Sequence, residues 1–139
     1  MQKGQISIDL LLSILAAIII LVSFNVLINS SYLSQDRIST KQQLDLENEK
    51  IVNLITQTQI IDDSNFTINT TLAKIYYLTE NKIQLRKYPD INIQNNLLTL
   101  SIDNGKEKIE SSKRFSKNPN TKIILGVNEL KGSIVITNE

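Results

Sequence analysis

The chain has no cysteine and no histidine among its 139 residues, no tryptophan, two prolines and four glycines. Without cysteine there is no disulfide framework and no thiolate metal site. Without histidine there is no imidazole ligand and no side chain that ordinarily shuttles protons near neutral pH. An enzyme built from this composition would need carboxylates or a Ser-Lys pair, and no such constellation stands out, so the expectation is a non-enzymatic protein without a cofactor or metal. Charge of one sign is also scarce in excess. Fifteen Lys plus Arg face fourteen Asp plus Glu, a net charge of +1 with the basic residues scattered. That balance does not make a nucleic-acid surface. Lys113-Arg114 with Lys117 is the one basic cluster and reads as a solvated loop.

What the sequence does contain is a long apolar run. After a polar leader carrying Lys3, residues Ile6 to Ile28 hold a single ionisable side chain, Asp9. As a helix, these 23 residues extend about 34 Å, enough to cross a hydrocarbon core of about 30 Å. Three readings are open. A conventional secretory signal has a shorter apolar core ending in a small-x-small site, whereas here Ala16 and Ala17 lie mid-run and Ile28-Asn29-Ser30-Ser31 fits such a site poorly. An uncleaved anchor would span once with its amino terminus inside, although Arg37 and Lys41 leave the charge asymmetry slight. The third reading places a cut between Gly4 and Gln5, before the apolar run, so that the helix stays on the mature protein. Glycine at that junction lets an extended backbone lie close in a protease cleft.

Lys3-Gly4-Gln5-Ile6-Ser7-Ile8-Asp9-Leu10-Leu11-Leu12 resembles the class III signal peptide of archaeal type IV pilin-like proteins, particularly those of methanogens. Gly4, Gln5 and Ser7 match that family's pattern. Asp9 stands where glutamate is usual, and Ser13 stands where a leucine is expected, with Leu12 one place early. The likeness covers roughly the first 30 residues. It implies a precursor in the cytoplasmic membrane with its amino terminus inside, a prepilin-type signal peptidase as partner, and a mature cell-surface filament. Its further partners would be other pilin-like subunits and the membrane. Asp9 would become the fifth residue of the mature chain, about 6 Å or one turn inside the new terminus. A carboxylate there is favoured by the helix dipole and can reach lipid headgroups. Inside a bundle of similar helices its charge needs a partner, which the α-amine of a neighbouring subunit can supply. The alternatives are an interfacial acid with no further role and, for the whole chain, an uncleaved single-span surface protein with a binding domain.

No glycine or proline interrupts Gln5 to Tyr88. One helix over about 6–60 is therefore expected, apolar on all sides at first. Its second half carries a stripe of Leu44, Ile51 and Ile55 with Val52 beside it, while Asp45, Glu49 and Asn53 lie opposite. Glu47 and Lys50 form an i,i+3 pair. Ser30 to Gln43 is polar and has few residues to hold it. Asp62-Asp63-Ser64-Asn65 reads as the helix stop rather than a calcium loop, whose ligand spacing and glycine it lacks. Alternating segments then predict strands within 66–78, at 83–86, 91–93, 98–102, 107–109, 122–127 and 133–137. Asn95-Asn96 and Asn104-Gly105 are the turn signals, the latter read as a two-residue hairpin.

The expected fold is thus α+β, with an antiparallel β-meander packed on the carboxy-terminal half of one long helix. Its parts are a leader over 1–4, an assembly helix over 5–29, an extracellular helical extension over 30–61 and a β domain over 62–139. Tyr76-Tyr77 on a strand should send one ring inward and one outward, so an adhesive aromatic patch does not follow from them.

Three sequons occur, at Asn29, Asn65 and Asn69. With this composition chance alone gives about 2.5. Asn29 sits at the membrane boundary, whereas Asn65 and Asn69 fall on an expected outward loop and are the candidates for N-glycosylation, a modification common in the filaments that the chain resembles. Three is therefore no enrichment, and the intact mass of the mature protein decides occupancy: added glycan mass supports the two candidates and an unmodified mass removes both.

Overall fold

The computed structural model describes residues 2–60, 66–116, 123–128 and 132–138. Helix α1 (Gln2–Ile60) is followed by eight strands: β1 (Phe66–Thr71), β2 (Ile75–Leu78), β3 (Gln84–Lys87), β4 (Asp90–Gln94), β5 (Leu97–Asp103), β6 (Lys108–Arg114), β7 (Ile123–Asn128) and β8 (Ser133–Asn138). The chain divides into two compact units, 1–35 and 36–139. The first is helix throughout its described residues. The second holds the remainder of α1 and all eight strands.

All strand pairs are antiparallel, but they form three small sheets rather than one continuous meander: β1-β8-β7, β2-β3 and β4-β5-β6. The departure from strict succession is β1, which pairs with β8 from Phe66↔Asn138 to Thr71↔Ser133. Pro89 explains one of the breaks. It stands between β3 and β4, where a residue without an N–H cannot continue a ladder, and the chain changes sheets there. The expected irregular strand across 66–78 likewise separates into β1 and β2, which belong to different sheets.

The core forms where the helix stripe meets the sheets. Leu44, Ile51 and Ile55 are fully buried with Leu98, Leu100, Ile102, Ile134 and Ile136. Burying each such side chain contributes about 1.5–3 kcal/mol, and neither the helix nor a three-stranded sheet keeps its apolar face dry alone. Val52 packs beside the stripe as expected. Tyr77 is buried and Tyr76 exposed, as the alternation requires.

Three polar residues of α1, Thr40, Asn48 and Thr58, share the buried stripe with these aliphatics. Asn48 Nδ2 donates to the carbonyls of Ser111 (2.8 Å) and Leu98 (3.2 Å) and approaches Ser111 Oγ (3.1 Å), tying α1 to both β5 and β6. Ser111 Oγ in turn donates to Asp45 Oδ1 at 2.6 Å. Glu49 accepts from Lys113 Nζ at 3.0 Å. Asp45 therefore faces β6, Glu49 reaches Lys113 on that strand while staying exposed, and Lys113-Arg114 belong to strand β6 rather than to a loop.

The opposite flank of α1 makes a second polar row, at residues 36, 40, 43, 47 and 50. Asp36 Oδ2 accepts from Leu78 N (2.9 Å), and Gln43 Oε1 accepts from Tyr76 N (3.0 Å). Thr40 Oγ1 donates to Tyr76 O (3.1 Å), as does Gln43 Nε2 (3.3 Å). Glu47 Oε2 accepts from Ala73 N (3.2 Å), and Lys50 Nζ donates to Thr71 O (2.9 Å). Spaced alternately by four and three, these side chains lie along one helix face. They satisfy the backbone edge of residues 71–78 in the way that a neighbouring strand would. From Asp36 on, the stretch that looked poorly held in the sequence is thus anchored, by polar bonds. Glu47 and Lys50 also approach each other at 3.7 Å.

The turns follow local chemistry. Asn95 and Asn96 both have positive φ and join β4 to β5 through a two-residue hairpin, as their side chains favour. Around Gly105 the loop is longer than expected: Asp103 pairs with Lys108, leaving four residues between them. Asn104 Oδ1 accepts from the backbone N–H groups of Lys106 and Glu107, each at 2.9 Å, so its side chain builds the turn and only Gly105 takes a positive φ. Gly132 also has a positive φ, and the Tyr88 ring occupies the space its Cβ would need. Lys74 Nζ sits 5.1 Å from the centroid of that ring. On β6, Lys108 lies above its ordinary pKa because it donates to Glu110 and feels its charge at 2.8 Å.

Asn48→Ala is expected to lower unfolding stability by about 2–4 kcal/mol, because it leaves a cavity and two buried carbonyls without their donor. Gln42→Ala, on the exposed helix face, should change stability by no more than about 0.5 kcal/mol. Denaturant unfolding of the detergent-solubilised chain, followed by near-ultraviolet circular dichroism, measures both.

Candidate functional site

The candidate site is the first unit of α1. From Ile8 to Ile28 every large apolar side chain is exposed, each between 53% and 67% of its full surface. Among the described residues this is the one helix long and apolar enough to cross a membrane or to act as a signal sequence. A soluble monomer does not leave so much contiguous apolar surface in water. The helix forms because aliphatic residues and two alanines follow one another with neither glycine nor proline after Gly4.

Three hydroxyls within it are satisfied locally. Ser13 Oγ donates to Asp9 O and Ser23 Oγ to Ile19 O, each at 2.8 Å, and Ser30 Oγ donates to Leu27 O at 2.9 Å. Such back-bonds to the preceding turn free these three donors from a need for water, which suits an apolar surrounding. Ser13, which departs from the aliphatic pattern, is accommodated in this way.

Gly4 and Gln5 lie inside α1, whose first residue is Gln2. The junction is therefore helical here, whereas the sequence reading starts the helix at about Ile6. Cleavage at this bond requires the first turn to unwind. That is a small cost at a helix end, where the initial N–H groups lack intrahelical partners and glycine weakens the helix. Asp9 is exposed on the same helix, seven residues after its start. A break between Gly4 and Gln5 would bring it to the first turn, where a carboxylate interacts favourably with the helix dipole.

Asn69 lies on strand β1 rather than in a loop, and its side chain is exposed. Asn65 and the Asp62-Asp63-Ser64-Asn65 helix stop lie outside the described residues. Among the described residues no group of three or more acidic side chains could hold a metal ion. Sequence reasoning missed the polar row of Asp36, Thr40, Gln43, Glu47 and Lys50. Its spacing of four and three was the available signal, but polar residues at helical intervals ordinarily mark a solvated face.

No family model matches the chain, and no curated protein or solved structure is significantly similar to it.

Asp9→Ala is expected to spare removal of the leader and to abolish incorporation into filaments, whereas Asp9→Glu should be tolerated. Comparing the variants in sheared surface fractions tests this, and equal incorporation of Asp9→Ala excludes an assembly role.

Proposed function

We propose that this chain is a pilin-like structural subunit of a cell-surface filament. The precursor is held in the cytoplasmic membrane by residues 5–29, a prepilin-type peptidase cuts it after Gly4, and the mature chains assemble by bundling their amino-terminal helices with the β domain outward. What carries this reading is a helix with uniformly exposed apolar side chains joined to a separately packed β unit. Such a helix needs cover from lipid first or from copies of itself later. The Lys3-Gly4-Gln5 junction and the offset of Asp9 favour the second cover, because a plain anchor requires neither. Asp9 is the assembly residue, and its partner is the new α-amine of an adjacent subunit. Catalysis has no part in this reading.

A single-span anchor with an outer binding domain is the alternative, since lipid alone can cover the same helix. Amino-terminal sequencing of the purified protein distinguishes the two. A start at Gln5 is expected. A start at Met1 or Gln2 favours the anchor, and a start beyond Ser30 makes the chain a secreted domain.

A further inference from the structure

The β strands differ in how their free edges are protected. An unpaired edge presents a row of N–H and C=O groups to any other strand, and proteins commonly blunt such edges with charge, proline or a covering element. Here β3 carries Arg86 and Lys87, β4 begins with Asp90 directly after Pro89, and β6 carries Lys108, Glu110, Lys113 and Arg114. The backbone of β2 is covered by Asp36, Thr40 and Gln43 of α1. Among the described residues the sheet β1-β8-β7 is the exception. Neither of its outer strands, Phe66-Thr-Ile-Asn-Thr-Thr71 or Ile123-Ile-Leu-Gly-Val-Asn128, contains a charged residue or a proline.

The outward groups of β1 follow from its hydrogen bonds. Leu72 N donates to Gly132 O at 2.7 Å, toward the β8 side. By alternation, Thr71, Asn69 and Thr67 direct their backbone groups away from β8. Lys50 takes the carbonyl of Thr71, which leaves the rungs of Asn69 and Thr67. On β7 the same alternation from β8 directs the backbone groups of Ile123, Leu125 and Val127 outward. Asn69 and Gly126 both stand opposite Val135, in one row of the sheet, and both are exposed.

We infer that the β7 edge of one chain pairs with the β1 edge of a second copy, extending the sheet from subunit to subunit. Both strands are antiparallel to β8, so β1 and β7 point the same way, and with both copies presenting the same sheet face their intermolecular pairing is parallel. Such a contact is heterologous: it uses a different edge on each partner and leaves one of each free at the ends, so it propagates. Pairing of β1 with a second β1 would be two-fold and would close as a dimer. The inference deepens the filament reading and rests on it, because open-ended contact is what a filament requires of its subunits.

The chain has no cysteine, so introduced thiols report without background. Full-length protein carrying both Thr67→Cys and Gly126→Cys is treated on cells with a short bis-maleimide and separated by denaturing electrophoresis. At Gly126 the nearest obstacle to a new side chain is Val135 Cβ at 3.7 Å, an ordinary contact. Thr67 is exposed, and its replacement leaves the Asn69 sequon intact while removing the hydroxyl of the Asn65 sequon. The expected result is a ladder of dimers, trimers and higher species from the double variant and monomer from each single one. Adding Asn69→Lys should abolish the ladder. Thr67→Cys with Ser112→Cys, an exposed position on β6, should give none.

A double variant that stays monomeric overturns the pairing, as does an equal ladder from the Ser112 pair or a dimer from Thr67→Cys alone. Processed chains starting at Gln5 in sheared filaments, yet not cross-linked, overturn the edge contact and leave the filament reading standing. A ladder formed by chains that keep Met1 supports the edge contact and removes the filament reading.

Discussion

The constraint on which this protein depends is that its most apolar surface has no cover within its own unit. Side chains from Ile8 to Ile28 point outward on every side of the helix, and nothing else in the unit 1–35 is available to pack on them. At about 25 cal/mol per Å² the exposure is too costly to persist in water. The surroundings of the first unit must therefore be lipid or protein. Ser13, Ser23 and Ser30, bonded back to the preceding turn, are compatible with either.

In the second unit the same helix acts differently, because its faces are no longer equivalent. A buried stripe of Leu44, Asn48, Ile51 and Ile55 supplies the core. The row from Asp36 to Lys50 serves the backbone of residues 71–78 on one flank, and Asp45 with Glu49 serves β6 on the other. Asn48 links these roles, since it lies among aliphatic neighbours and holds two strand carbonyls. Its own Oδ1 is buried without a hydrogen bond among the described residues. A buried polar group of this kind costs stability unless it is paired, and it restricts the helix to one register against the sheets. The absence of glycine and proline from Gln5 to Tyr88 makes this division of labour possible, because every helical position keeps its phase relative to the next.

Much of this architecture was legible in the residues. The unbroken helix through Ile60, the strand alternation, the inward Tyr77 and the Asn95-Asn96 turn follow from local propensity and periodicity. Leu44, Ile51 and Ile55 stand out because their spacing is helical and their neighbours are polar. What was not legible depends on partners distant in sequence. Nothing near Phe66 signals that β1 pairs with β8, and nothing near Gln43 signals that its amide meets the backbone of Tyr76. Ile83 and Leu85 have the alternation of a half-buried strand, yet both are exposed, because β3 contributes no buried residue to the core. At Asn104-Gly105 the dipeptide marked a turn correctly, but the asparagine carboxamide selected a longer one. For the candidate site, the composition of the first 30 residues carried nearly all the information. The helical state of the Gly4-Gln5 bond could not be read from it.

The row of side chains along residues 71–78 also has a mechanical meaning. Its bonds run from the helix flank across to a backbone lying alongside it, so tension drawn along the helix loads several of them together in shear. Rupture under such loading requires concerted failure, whereas peeling breaks one bond after another. A chain pulled along its helix would resist through this seam before strain reached the aliphatic core.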